Sequence, residues 1–570
     1  MDRHLAALVL DEIASLLELQ DAEPFRVRAY RGAARALDML DGDLAFALRS
    51  GRLADVPGLG PGTLAVIREM VETGRSGLYE RLRAETPAGL VQLRLVAGLG
   101  PKRVRTLHER LGIENLEQLR AAAASGRVAA LPGFGPATQR RVLEGLDFVD
   151  RSTGRRRQPE AYATADRLIA HLESAMEGTV DLTGEIRRRC ETVDGIDLLV
   201  SAASPDRALE RFLELPGLGA VERVDVQRAR ALLADGTPIR LRAVHPERAA
   251  AARVHETGSS AHTDALARRA AERGLRLDPD GLWRADEPVP LEEEEALYAA
   301  LDLEWVPPEL REGRGEVEAA ADGTLPDLVD YEDLQGTFHC HTTWSDGRAT
   351  VAEMAEGARI RGWRYLGIAD HSISAGYAGG LSADRLRSQR AEIDRWNRDR
   401  GPELRLFAGI EADILRDGAL DYDDEILASL DYVIGSVHSG FRMDGESMTR
   451  RVVRAVENPR LTILGHPTGR LLLRREPYAL DVDAVIDAAA GTGAAIEING
   501  DPDRMDLDWR HWPRARERGV RCAVDPDAHS VAGIGAVVYG LSMARKGWLE
   551  PADVINTWEL ERVSAHFGAA

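Results

Sequence analysis

Between residues 330 and 530 the apolar positions fall in short runs, each closed by a side chain that can hold a metal. The first run leads into Phe338-His339-Cys340-His341, with Asp346 five residues on. Run 365–369 leads into Asp370 and His371, 404–410 into Glu411, and 432–437 into His438. Run 461–465 leads into His466, 494–496 into Glu497 and Asn499, and 522–524 into Asp525, Asp527 and His529. Between them, 351–362, 383–399, 447–457 and 482–491 carry helical spacing. Strand, ligand, helix, repeated, predicts a β/α barrel whose active groups gather at the C-terminal ends of its strands. Strand residues two apart point the same way, so His339 and His341 can aim two imidazoles into one pocket.

The first 150 residues follow a different period. Apolar spacing of three and four predicts helices over 5–20, 29–39 and 43–50. Val56-Pro57-Gly58-Leu59-Gly60-Pro61-Gly62 then recurs as Val96-Ala97-Gly98-Leu99-Gly100-Pro101-Lys102 and as Leu131-Pro132-Gly133-Phe134-Gly135-Pro136. Three copies make an internal repeat. The turns resemble helix-hairpin-helix elements. That resemblance implies that Gly58, Gly60, Gly98, Gly100, Lys102, Gly133 and Gly135 bring backbone close to DNA phosphates, with the next helix offering free N–H groups. Such binding is independent of base sequence and needs little net charge. A helical packing module that touches only protein is the alternative.

Composition narrows the partners. Net charge is −21, which argues against a blanket nucleic-acid binder, but residues 1–150 carry 20 acidic and 20 basic side chains. Residues 301–570 carry 47 acidic against 31 basic, so acid concentrates where the metal site is expected. Lys102 and Lys546 are the only lysines. Three distant cysteines imply no disulfide framework. No apolar run reaches membrane length and no signal-peptide pattern opens the chain, so a bacterial-type cytoplasm is expected, with no membrane partner. Nitrogen and carboxylate donors without thiolate suit manganese, zinc or iron, and their number suggests two or three bridged divalent ions.

His339-Cys340-His341…Asp346, Asp370-His371-Ser372, Gly409-Ile410-Glu411, Ser436-Val437-His438, Gly465-His466-Pro467 and Asp527-Ala528-His529-Ser530 resemble the motif set of the polymerase and histidinol phosphatase (PHP) domain. The resemblance implies a distorted (β/α)7 barrel that hydrolyses phosphoesters at a trinuclear site. It also implies the ligands His339, His341, Asp346, His371, Glu411, His438, His466, Asp527 and His529. Arg470 is a candidate phosphate contact or a surface arginine.

Residues 160–260 read as α+β. Stretch 182–200 is similar to the nucleotidyltransferase palm of bacterial family X DNA polymerases, with departures. Gly184 matches the family's turn, but Glu185 replaces its serine and is expected to repel a triphosphate. Asp197 matches the second catalytic aspartate. Gly195 stands in place of the first, with Asp194 one residue early and expected to face the other way. Arg240 takes the place of the third. Thr257-Gly258-Ser259 matches the nucleotide-side turn. Two magnesium ions need several carboxylates at short range, so this palm is expected to have lost magnesium and polymerisation. Residues 1–101 hold no lysine, which removes the Schiff-base nucleophile of a deoxyribose-phosphate lyase.

The expected architecture is a multidomain chain of α, α+β and α/β parts. It comprises an N-terminal helical domain at 1–83, a fingers-like helix-hairpin-helix domain at 84–150, a degenerate palm at 151–260, thumb and linker at 261–328, and a PHP domain at 329–570. The expected activity is metal-dependent removal of 3′ nucleotides, or 3′-end processing, in DNA repair. The expected substrate is gapped, nicked or 3′-ended DNA and the expected state a monomer. The alternatives are a gap-filling polymerase using Asp194, Asp197 and Asp225, a non-catalytic DNA-binding scaffold, and a small-molecule phosphatase.

Overall fold

The computed structural model describes residues 3–568 except 21, 39–43, 57, 176, 216–217, 234–235 and 401–402. The predicted helix ends at 39 and 43, and Pro57 of the first glycine turn, lie outside the described residues. The chain forms two compact units, Met1–Thr153 and Gly154–Ala570.

The first unit is helical. Arg3–Leu19 and Pro24–Asp38 pack with Pro61–Thr73 around Leu10, Ile13, Ala33, Ile67 and Met70. Pro24–Asp38 begins five residues before the predicted start at 29, because Pro24 suits a first helical turn, where its missing N–H costs no bond. A second core of Leu93, Val104, Leu107, Leu119 and Leu146 gathers Pro101–Leu111, Leu116–Ala124 and Gly135–Ser152.

The second unit starts with a five-stranded sheet built on Ile196–Ser201 and Pro238–Val244, paired in parallel so that Asp197 faces Arg240. A small helical core follows and begins at Ala250, inside the segment predicted as palm. Seven parallel strands then run in sequence order: Gly336–Cys340, Tyr365–Ile368, Arg405–Asp413, Tyr432–Ser436, Ile463–Leu464, Ala495–Asn499 and Cys522–Asp525. A parallel bridge between Cys340 and Ala528 brings the last strand's extension back to the first, giving a nearly closed barrel.

Period-two alternation divides each strand between two cores. On the third strand Leu406, Ala408 and Ile410 pack with the surrounding helices, while Phe407 faces inward. A Cβ at Gly409 would lie 2.4 Å from the inward Tyr432 ring, so Gly409 shares the inward side. Glu411 and Asp413 continue that side. Phe338, Tyr365, Phe407 and Tyr432 fill the interior with Phe567 of the C-terminal helix, whose ring stacks on Tyr432 at 5.1 Å. This aromatic floor leaves the C-terminal end of the barrel for polar groups.

Candidate metal centre

His339 and His341 reach the barrel mouth by a break in alternation. Phe338 is inward, so a regular strand would send His339 outward. The backbone at His339 is instead left-handed, at φ 51°, and the pairing register shifts between Thr337 and Cys340. A bulge of this kind re-aims side chains. Cys340 turns into the outer core, and both imidazoles turn inward with ring centroids 5.2 Å apart. His466 and Asp527 are also left-handed, at φ 23° and 51°. Strained backbone at three side chains of one site is a mark of function.

Four groups of donor atoms result: His341, Asp346, His371 and His529; His339, Glu411 and His466; His339, His341 and Asp527; and His371, Glu411 and His438. Within each, the donors lie within 4.8 Å of one another. Together they contain all nine residues that the PHP resemblance implies. Glu411 sits at the centre. Its Oε1 lies 3.0 Å from His466 Nε2 and 3.2 Å from both His339 Nε2 and His438 Nε2, and its Oε2 lies 2.8 Å from His371 Nδ1. Asp527 Oδ1 lies 3.2 Å from His341 Nε2, and Asp346 Oδ1 lies 3.3 Å from His529 Nε2.

The donor set fits divalent cations. His339 Nε2, both ring nitrogens of His341, His371 Nδ1, His466 Nδ1 and Glu411 Oε2 are buried without a hydrogen-bond partner. Buried polar atoms are rarely left unpaired, and bridged metal ions would satisfy these. Protonation follows the charges. Burial opposes the ionised form of Glu411, but His438, His339 and His371 outweigh it and hold the carboxyl well below its usual range. Burial likewise disfavours the charged form of His438, yet Glu411 and Asp413 push it up to about 10. Burial and the neighbouring His529 and His371 pull His341 down to about 3, leaving a neutral imidazole suited to ligation.

The palm carboxylates meet a cation. Arg240 Nε lies 2.5 Å from Asp197 Oδ1, and its Nη2 lies 2.6 Å from Asp194 Oδ1 and 3.1 Å from Asp197 Oδ2. Asp194 therefore does not face away from Asp197. It precedes the strand Ile196–Ser201, so strand alternation does not govern it. Glu185 is not free to repel a triphosphate either: its Oε2 accepts from Arg155 Nη2 at 2.9 Å and from the Asp194 amide at 3.0 Å. Gly184 lies against the carboxylate, where a Cβ would stand 2.0 Å from Asp197 Oδ2. A Cβ at Gly195 would meet Pro238 O at 2.8 Å and Arg240 Nη2 at 3.3 Å. Asp225 accepts from the Gln227 amide and pairs with Arg228 instead. Among the described residues, no candidate metal group includes Asp197.

Each glycine turn of the first unit opens a helix. Gly60 and Gly100 cap Pro61–Thr73 and Pro101–Leu111, and Gly135–Ser152 starts on the third turn with Pro136 in its first positions. Gly58, Gly98 and Gly133 hold φ of 94°, 86° and 83°. Lys102 lies in the first turn of its helix.

Family models match residues 1–76 as a helix-hairpin-helix domain, 92–147 as a SAM-like helix-hairpin-helix tandem and 252–312 as a DNA polymerase beta thumb. The DNA polymerase/3′-5′ exonuclease PolX of Bacillus subtilis (strain 168) is 35% identical over 566 residues, covering 98% of both chains. The chain belongs to the family X DNA polymerases. As a family X member it is an enzyme and a DNA-binding protein. Its C-terminal part resembles proteins named as probable phosphatases, which is the PHP relationship. One, from Thermoanaerobacter sp. (strain X514), is 28% identical over 240 residues, 38% of this chain and 89% of that protein. Another, from Caldanaerobacter subterraneus, is 31% identical over 216 residues, 35% and 77% of the two. A solved polymerase beta of Leishmania infantum aligns at 17% identity and a TM-score of 0.27, covering 39% of this chain and 98% of that one. Among the described residues, no helix is long and apolar enough to cross a membrane.

In this family X chain Arg504, Asp413 and Tyr377 escaped the sequence reading, and the roles of several named residues emerge only from the structure. Arg470 is not a phosphate contact or a surface arginine. It is buried, donating from Nε to Arg504 O at 2.9 Å and from Nη1 to Asp508 Oδ2 at 2.8 Å. The arginine beside the ligands is Arg504, with Nε 3.5 Å from Asp527 Oδ2. Asp413, Glu497 and Asn499 hold the ligands rather than joining them. Asp413 Oδ1 and Glu497 Oε1 lie 2.5 Å from His438 Nδ1 and His339 Nδ1, and Asn499 Nδ2 donates to Asp527 Oδ2 at 3.1 Å. Asp370 and Asp525 tie the strand ends through Thr342 and Phe338. Tyr377 is 74% exposed, with its ring centroid 6.2 Å from that of His371. Of Arg504, Asp413 and Tyr377, only Asp413 carried a sequence signal, since it continues the inward period of Glu411.

Proposed function

We propose that the barrel is a divalent-metal phosphoesterase that removes nucleotides from 3′ DNA ends, and that the palm grips DNA without polymerising. The convergence of nine ligand-type side chains with unpartnered buried donors supports this most directly. The assigned ligands are His339, His341, Asp346, His371, Glu411, His438, His466, Asp527 and His529, with manganese or zinc as the ions. Bound there, divalent cations supply an activated water and positive charge for the phosphoryl oxygens. The chain's own part is positional. Glu497 and Asp413 orient the imidazoles of His339 and His438. Arg504 adds a fixed cation beside Asp527, and Tyr377 offers an exposed ring on which a terminal base can stack. Backbone N–H groups at the three glycine turns contact phosphates of gapped, nicked or 3′-ended DNA. With no lysine in 1–101, lyase chemistry is not assigned.

A second reading, a polymerising palm, is favoured by one observation: Asp194 and Asp197 meet at the same Arg240 nitrogen. A 5′-labelled primer–template in manganese, with and without nucleotides, separates the two. The expected result is shortening that falls at least about a hundredfold in His339→Ala. Lengthening that disappears in Asp197→Ala would overturn the assignment.

A further inference from the structure

The segment that carries Arg504 leaves the sixth barrel strand, Ala495–Asn499, and crosses toward the palm. Arg474 and the Leu472 amide hold Asp503 from within the barrel, Arg314 reaches Arg510 O, and one element of the palm adds to them. Arg156–Arg157 and Thr192–Val193 form a two-stranded antiparallel ribbon at the start of the palm, closed by the Gln158 amide donating to Glu191 O at 3.0 Å. From that ribbon Arg157 pairs with Asp503, one residue before Arg504. Glu191 Oε1 accepts from Arg510 Nη1 at 3.0 Å, and the same nitrogen reaches both Asp508 oxygens at 2.9 Å. Arg470 continues the path from Asp508 to the carbonyls of Arg504 and Met505. Arg157 and Glu191 lie at the same end of the ribbon, beside the Gln158–Glu191 bond, and from there they grip the segment on both sides of Arg504. Neither Arg157 nor Glu191 contributes to the Asp194–Asp197–Arg240 cluster.

Arg504 in turn bears on one ligand. Asp527 Oδ2 has Asn499 Nδ2 at 3.1 Å and Arg504 Nε at 3.5 Å, while its Oδ1 faces His341 and His339. Holding Oδ2 fixes which oxygen is presented to the imidazoles. Asp527 sits on left-handed backbone, so it needs such outside support.

We infer that the palm ribbon is a clamp for the phosphoesterase centre, with Arg157 and Glu191 as positioning residues that act through Arg504. This rests on the phosphoesterase reading of the barrel. The palm then has a task in the barrel's reaction that is independent of its own carboxylates. A misplacement of about 1 Å at a reacting centre can cost about a hundredfold in rate, so a partly loosened segment is expected to cost about tenfold.

The test uses the full chain. Hydrogen–deuterium exchange of the 501–508 amides is compared between wild type, Arg157→Gln, Glu191→Gln and the conservative Glu191→Asp. Exchange is expected to quicken about tenfold in Arg157→Gln and Glu191→Gln and to stay nearer wild type in Glu191→Asp. Hydrolysis of a labelled oligonucleotide in manganese is expected to lose about tenfold in kcat, with KM little changed. In an Arg504→Ala background the same substitutions are expected to cost nothing further, because coupled residues are not additive. Unchanged exchange, or losses that multiply in the Arg504→Ala background, overturns the clamp. If wild type hydrolyses no DNA, the phosphoesterase reading fails, and the exchange pattern still decides whether the ribbon holds the segment.

Discussion

Arg240→Asp tests whether one cation keeps metal ions out of the palm. Arg240 sits opposite Asp197 in strand register and reaches both Asp194 and Asp197. Two unit charges about 4 Å apart interact by roughly 4 kcal/mol at an effective dielectric of about 20. Arg240 and Asp194 are about half exposed, 44% and 53% by side chain, so solvent screening leaves about 1 kcal/mol per pair. The substitution removes about 2 kcal/mol of attraction and adds repulsion of similar size, a loss of roughly 3–4 kcal/mol without divalent ions. It also creates three convergent carboxylates. If magnesium binds them, a concentration about a hundred times its Kd returns about 2.7 kcal/mol. The palm's melting transition is therefore expected to fall in Arg240→Asp and to recover by roughly 5–10 °C in magnesium, beyond any shift in wild type. Primer extension, measured in a His339→Ala background to suppress shortening, is expected to be absent with Arg240 and to rise above background with Asp. A wild-type palm that extends primers at a rate unaffected by Arg240→Asp would refute the reasoning.

Two further outcomes follow from the geometry. Burial would raise the Glu294 carboxyl, but Arg187 and Arg311 outweigh it and pull it down to about 2 from 4.5, so its stabilising contribution, roughly 3 kcal/mol, is present above pH 4.5 and lost as pH falls toward 2. Glu294→Gln should lower the urea midpoint at pH 7 and converge on wild type toward pH 2, and a pH-independent difference would count against the ion cluster. Gly98→Ala forces an alanine to φ 86° in the second glycine turn, a strain of about 1–2 kcal/mol, and should weaken duplex binding about tenfold while flattening its salt dependence by about one unit; unchanged binding would mean that this turn touches no phosphate.

The sequence by itself determined the order of elements and the ligand types at the strand ends. Short apolar runs separated by helical segments fix parallel strands, and a side chain at the end of such a strand has few places to go but the barrel mouth. The three repeated glycine turns were legible for a similar reason, because positive φ narrows the choice to glycine. Which carboxylate does what was decided only in three dimensions. Glu411 and Glu497 each end an apolar run, yet one sits among four imidazoles and the other backs His339. Local pattern gives each side chain's direction along its own strand but not its distance to atoms on six others. The same holds for Arg470 and Arg504, two arginines in loops with no periodicity. Packing buried one beneath the segment and laid the other against Asp527. At the palm, the arginine in the third aspartate's place was readable as a loss. That it would gather both remaining aspartates required the register of Ile196–Ser201 on Pro238–Val244, which long-range pairing sets and no local stretch encodes.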